Sequence, residues 1–187
     1  MRISERGFSL LEVLIAMLIS SVLLISAAKF LPGLQKAMLA QTRQQALEDE
    51  VWQRLYTVAK HIQRAGFCRG ECPGQPLVIS AQGSCIIAQW DGNANGKWDR
   101  TPSDDADQIG FRFQDGALET QRGTDTCGGK GWEKMTDPRT IRVEQFTVTQ
   151  RRQAGFADEI TVTIAASAVN HPDELITANY SVTGYNL

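Results

Sequence analysis

Gly7–Phe8–Ser9–Leu10–Leu11–Glu12 is the stretch whose reading decides this chain. Before it stands a short charged head, Met1 to Gly7, carrying Arg2, Glu5 and Arg6. An apolar run then extends from Phe8 to Ala28, and its only charged side chain is Glu12. A run of about 20 apolar residues is long enough to cross a bilayer. A carboxylate within it costs on the order of 2–3 kcal/mol at the bilayer centre, so Glu12 reads as a functional residue in need of a partner. A cut after Gly7 would supply one, the new positive N-terminus of Phe8. Two plainer readings compete. A secretory signal peptide would use Ser26-Ala27-Ala28 for cleavage, but its apolar core is uncharged and Glu12 breaks that pattern. A simple single-pass anchor satisfies the length and leaves Glu12 unexplained.

The string G-F-S-L-L-E-V-L-I-A-M resembles the N-terminus of type IV prepilins and type II secretion pseudopilins. The resemblance implies that residues 1–7 are a leader, that a prepilin peptidase cuts between Gly7 and Phe8, and that the new Phe8 amine is methylated. It also gives Glu12 a part in assembly. In an apolar filament core either charge alone is heavily penalised, so a Glu12 carboxylate paired with the Phe8 amine of a neighbour would select the axial register. Further segments extend the likeness over nearly the whole chain: F-L-P, A-L-E-D-E-V-W, T-V-A-K-H-I-Q-R-A-G, D-Q-I-G-F-R and the ending Y-S-V-T-G-Y-N-L. These resemble the prepilin peptidase-dependent proteins of enterobacteria and, more loosely, the larger minor pilins and J-type pseudopilins. The resemblance implies a subunit near a filament tip that helps to initiate or cap assembly. Its partners would be the prepilin peptidase, other minor pilins or pseudopilins, a major pilin, an inner-membrane assembly platform and the lipid bilayer. Such a protein is the substrate of an enzyme and not itself an enzyme. A calcium-dependent adhesin or ligand-binding module at a filament tip is the rival reading.

Length and charge agree with an anchor plus one domain. The chain has 187 residues and a formal net charge of −2. Without the head, 17 basic and 20 acidic side chains remain. No basic stripe stands out, so nucleic-acid binding has no electrostatic footprint. With the basic head kept in the cytoplasm, the helix would cross the inner membrane once and place the rest of the chain in the periplasm, later in a filament.

The order of elements points to an α+β fold. Leu47, Val51, Leu55, Val58, Ile62 and Ala65 recur at steps of three and four and fall within an arc of about 80° on a helix. Trp52, Tyr56 and Ala59 widen that face, while His61 joins the polar side with Asp49, Glu50, Gln53, Arg54, Lys60 and Arg64. Gly66 offers a stop. If Pro32 only kinks the chain, Phe8 to Ala65 makes one rod of about 87 Å at 1.5 Å per residue. The expected division is a leader over 1–7, a membrane or filament-core helix over 8–31, its amphipathic continuation over 32–65, and a sheet region over 66–187. Strands are expected at Leu77–Ser80 and Cys85–Trp90, and a hairpin around Asp115-Gly116. Ile141 and Val143 alternate, then Phe146 and Val148 alternate in the opposite phase, which places a bulge at Glu144-Gln145. Ile160 to Ala168 and Ile176 to Val182 alternate cleanly, with connections at Ala154-Gly155 and at Asn170 to Asp173. The expected architecture is a pilin-like long helix, membrane-spanning in its first half, packed on an antiparallel sheet.

Two groups of side chains are candidates for chemistry. Cys68, Cys72, Cys85 and Cys127 would face an oxidising compartment, where disulfides are favoured over zinc. The expected pairs are Cys68–Cys72 and Cys85–Cys127, although four cysteines allow three pairings. A zinc site built from all four lacks the usual close pairs of ligands. The stretch Asp91-Gly92-Asn93-Ala94-Asn95-Gly96-Lys97-Trp98-Asp99 resembles the start of a calcium loop. Asp91, Asn93, Asn95 and Asp99 would give side-chain oxygens and Lys97 its carbonyl, making calcium the one candidate cofactor. Pro102 stands where the bidentate Glu belongs, with Asp104, Asp105 and Asp107 as substitutes. A polar loop built on Asx turns is the plainer reading. No catalytic set emerges around His61 or His171.

Overall fold

The computed structural model describes Gly7, residues 9–99, 106–152 and 154–187. Phe8, Pro102, Asp104 and Asp105 lie outside them. One long helix, α1 (Leu10–Arg64), is followed by eight strands: β1 (Leu77–Ile79), β2 (Cys85–Gln89), β3 (Gln108–Gln114), β4 (Ala117–Arg122), β5 (Glu133–Lys134), β6 (Ile141–Arg151), β7 (Asp158–Ala168) and β8 (His171–Gly184). The chain divides into two compact units, Met1–Gln45 and Ala46–Leu187.

In the first unit α1 is apolar and continuous. Pro32 lies inside it without ending it. Its large side chains are exposed, with Leu10 at 80% and Leu24 at 70%. By length and composition this part suits a membrane span.

In the second unit the apolar stripe of α1 becomes the lid of a core. Leu47, Val51, Leu55, Val58, Ala59, Ile62 and Ala65 are buried. Each large aliphatic side chain there is worth about 1.5–3 kcal/mol relative to exposure. Two residues of the helix differ from expectation. Tyr56 is 51% exposed. It lies at the margin of the stripe, stacked on Trp52 at 5.4 Å and meeting Tyr180 edge-on at 5.1 Å. His61, expected on the solvated face, packs instead against Trp90 and Phe111 at 5.1 and 5.5 Å between ring centres. The helix ends at Arg64 because Gly66 takes a positive φ of 86°. Its N–H turns to the Gln89 carbonyl at 2.9 Å, tying the helix end to β2.

The expected single sheet is two. β1 to β5 form one antiparallel sheet in sequence order, and β6 to β8 form another. Both contribute to the core beneath α1: Ile86, Phe111 and Leu118 from the first, Val143, Phe146, Val148, Ile160, Val162 and Ile164 from the second. The sheets meet at the outer edge of β6. Val148 N–H donates to Gly83 O at 2.8 Å and Val143 N–H to Gly116 O at 2.9 Å. Turns of the first sheet thus cover an edge that would otherwise expose unpaired backbone groups. The hairpin at Asp115-Gly116, joining β3 and β4, is present as expected. The register shift between Val143 and Gln145 is the expected bulge. The last turn is tighter than expected, with Ala168 opposite His171, so that β8 already begins at His171.

Candidate functional site

The N-terminal motif takes its local form from Ser9. Gly7 is exposed and outside the helix, and α1 begins one residue after Ser9. Ser9 O accepts the Val13 N–H at 3.2 Å, the first helical bond. Glu12 Oε2 reaches back and accepts the Ser9 N–H at 3.0 Å. Ser9-Leu10-Leu11-Glu12 is therefore half of a capping box, in which an acid three residues into the helix satisfies the backbone donor of the cap. The S-x-x-E spacing was the available signal for this contact. Beyond Glu12, Ala16, Ser20 and Leu24 continue one side of the helix at four-residue steps.

The four cysteines form the two expected pairs, Cys68–Cys72 and Cys85–Cys127. No thiolate is left for zinc. Cys85–Cys127 fastens the 123–132 segment to the start of β2. Arg112 fastens it again: Nη1 donates to Cys127 O at 3.0 Å, Nε donates to Glu119 Oε2 at 2.9 Å, and the guanidinium lies 4.3 Å from the Trp132 ring centre.

The 91–99 loop folds around two buried carboxylates. Asp91, 1% exposed, accepts backbone N–H groups from Arg69 at 3.1 Å, Asn95 at 3.0 Å and Gly96 at 2.8 Å. Burial pushes its pKa up, but the backbone donors of Arg69, Gly96, Asn95 and Ala94 outweigh that and hold it below the usual carboxylate value. Asp107 accepts from Gly92 and Asp99 N–H groups, both at 2.9 Å. Asn93 and Asn95 turn their Nδ2 atoms to Asp99 Oδ2 at 3.1 and 2.7 Å. Lys97 N–H donates to Asn95 Oδ1 at 2.9 Å. Asp91, Asn93, Asn95, Lys97 and Asp99 are thus brought into one loop, with Asx turns at its heart. The loop rests on the Cys68–Cys72 segment, where Asp91 N–H donates to Phe67 O at 2.8 Å and Trp98 Nε1 at 3.4 Å.

Sequence comparison matches both ends of the chain. The family described as prepilin peptidase-dependent protein B matches residues 40–184. The chain belongs to that family. The prokaryotic N-terminal methylation motif matches residues 2–28, the segment that holds Gly7, Phe8 and Glu12. A family member, prepilin peptidase-dependent protein B of Escherichia coli (strain K12), is 54% identical over 187 residues and is matched over 100% of both chains. Among solved structures, a type IV-like pilin from Thermus thermophilus shares the fold with a TM-score of 0.51 at 15% identity, over 75% of this chain and 96% of that one. The chain therefore has a pilin-like fold and carries the N-terminal methylation motif.

Proposed function

We propose that the chain is a minor pilin or pseudopilin whose leader is removed by prepilin peptidase and which helps to initiate or cap a type IV pilus-like filament. The observation that carries this reading is the Gly7–Glu12 motif within the methylation match, opening directly into an exposed apolar helix. In this reading the peptidase cuts between Gly7 and Phe8 and methylates Phe8, and Glu12 meets the Phe8 amine of an adjacent subunit. The first half of α1 crosses the inner membrane once, the leader stays in the cytoplasm, and the sheet-bearing unit lies in the periplasm before entering the filament. Other minor pilins, the major pilin and the assembly platform are its partners. Gly7→Val crowds the cleavage site and should abolish leader loss when the peptidase is co-expressed. Normal processing of that variant, read as a gel shift, would overturn the reading. A deletion strain that assembles pili but fails to secrete would direct it to type II secretion.

A calcium-dependent adhesive subunit is the second reading, favoured by the convergence of Asp91, Asn93, Asn95, Lys97 and Asp99 in one loop. Binding would need the Asn93 and Asn95 amides to turn their oxygens inward, since nitrogens face Asp99 here. Calcium should then raise the unfolding temperature and a chelator reverse it. Unchanged unfolding at millimolar calcium would remove this reading.

A further inference from the structure

The end of α1 and the neighbouring ends of β2, β3 and β4 enclose a cleft of about 370 Å³, lined by His61, Arg64, Trp90, Asn93, Asp107 and Arg122 among others. That volume lies in the range of small-ligand sites. Its charge is unbalanced. Asp107 spends both carboxylate oxygens on the Gly92 and Asp99 N–H groups. Arg122 Nε donates to Ala106 O at 3.1 Å, and its guanidinium has no carboxylate partner among the described residues. Arg64 likewise makes no ion pair among the described residues, whereas Arg54 and Arg112 each have one. Two guanidinium groups on one concavity match the planar, two-oxygen geometry of a carboxylate. The lining also carries an aromatic pair, Trp90 against His61. His61 Nδ1 is buried without a hydrogen-bond partner among the described residues, a costly state for a polar atom.

We propose that this cleft is a carboxylate-binding site, with Arg64 and Arg122 holding the anion and Trp90 and His61 receiving the body that carries it. A free organic acid and an acidic peptide of a partner subunit present the same chemistry.

His61 reports occupancy. Burial, then the charges of Arg64, Lys60 and Arg122, push its pKa down to about 4. Of the described groups around it, Lys60 and Arg64 lie on α1 and Arg122 on β4, and Asp107 before β3 is the only acidic one among the described residues lining the cleft. A carboxylate held by the two arginines would favour the imidazolium and raise that pKa. By linkage, the anion would bind more tightly as pH falls.

The test uses the full chain in detergent micelles. The two histidines, His61 and His171, are titrated by the NMR signals of their ring C–H groups. Separate samples carry benzoate, a hexapeptide rich in glutamate, or chloride at matched ionic strength. The expected result is a rise of about one unit for His61, a tenfold linkage, with His171 unmoved. A response to benzoate supports the site and assigns it to free acids. A response to the peptide alone supports it and assigns it to a partner subunit. Arg122→Gln should abolish the difference between anion and chloride. Should that variant not fold, the exposed Arg64→Gln should shrink the difference at least severalfold. No shift beyond chloride with either anion, or a full shift surviving in the arginine variant, would overturn the site.

Discussion

At the scale of a residue, Glu12 is held by its own helix before any neighbour arrives. Its Oε2 accepts the Ser9 N–H at 3.0 Å, so Glu12→Ala removes a backbone cap together with a charge. An assembly defect in that variant alone would therefore be ambiguous. Glu12→Gln separates the two effects, since glutamine serves in a capping box as well as glutamate. Ser9 amide exchange should stay slow in Glu12→Gln and quicken several-fold in Glu12→Ala. Under the proposed pairing with a Phe8 amine, both variants should fail to enter filaments, because neither neutralises the amine. Filaments formed by Glu12→Gln but not by Glu12→Ala would transfer the role of Glu12 from the charge to the cap.

At the scale of elements, the junction of the two sheets depends on Gly83. Its φ is +69°, and a Cβ there would stand 2.6 Å from Val148 O. The same backbone contact supplies the bond from Val148 N–H to Gly83 O. Gly83→Ala should therefore cost about 1–3 kcal/mol of unfolding free energy, through backbone strain and loss of the β6 edge contact. Gly128, where an added Cβ would meet nothing within 4 Å, provides the comparison: Gly128→Ala should stay within about 0.5 kcal/mol. Equal denaturant midpoints for the two variants would refute the edge-covering role of the Gly83 turn. This junction also marks where the sequence stopped being legible. The helix stripe, the 115–116 hairpin and the 144–145 bulge were readable because each is a local period or a break in one. Division into two sheets was not, since strand alternation records which face is buried and not which strand lies alongside. The site was legible unevenly for the same reason. Gly7, Glu12 and the cysteines stand out by type and spacing. His61 sits on the polar arc of α1, and only the later placement of Trp90 and Phe111 makes it a packed residue. The Arg64–Arg122 cleft joins residues 58 positions apart in sequence, with no pattern linking them.

At the scale of the whole molecule, buried titratable groups set how the sheet-bearing unit responds to acid. The His61 pKa falls from 6.5 to about 4 on folding, chiefly through burial. Between those values the unfolded chain binds the proton more strongly than the folded one. Its contribution is therefore fully present above pH 6.5 and is lost as pH falls towards 4. Asp91 shifts downward as well, despite its burial, because four backbone donors stabilise its carboxylate. That contribution is kept above its ordinary value of 3.8 and is lost only in stronger acid. The two windows are consecutive and have the same sign, so stability should fall in two steps on acidification. Partial exposure of His61 reduces the first step to on the order of 1–2 kcal/mol. Tryptophan fluorescence isolates the relevant unit, since all four tryptophans, Trp52, Trp90, Trp98 and Trp132, lie within Ala46–Leu187. Denaturant midpoints in micelles should drop between pH 6.5 and pH 4 in the parent chain. In His61→Phe, which keeps a ring against Trp90 and Phe111 and carries no proton, the midpoint should hold nearly constant over that range and fall only below it. Parallel midpoint curves for the two proteins would show that His61 is not charged at the expense of folding.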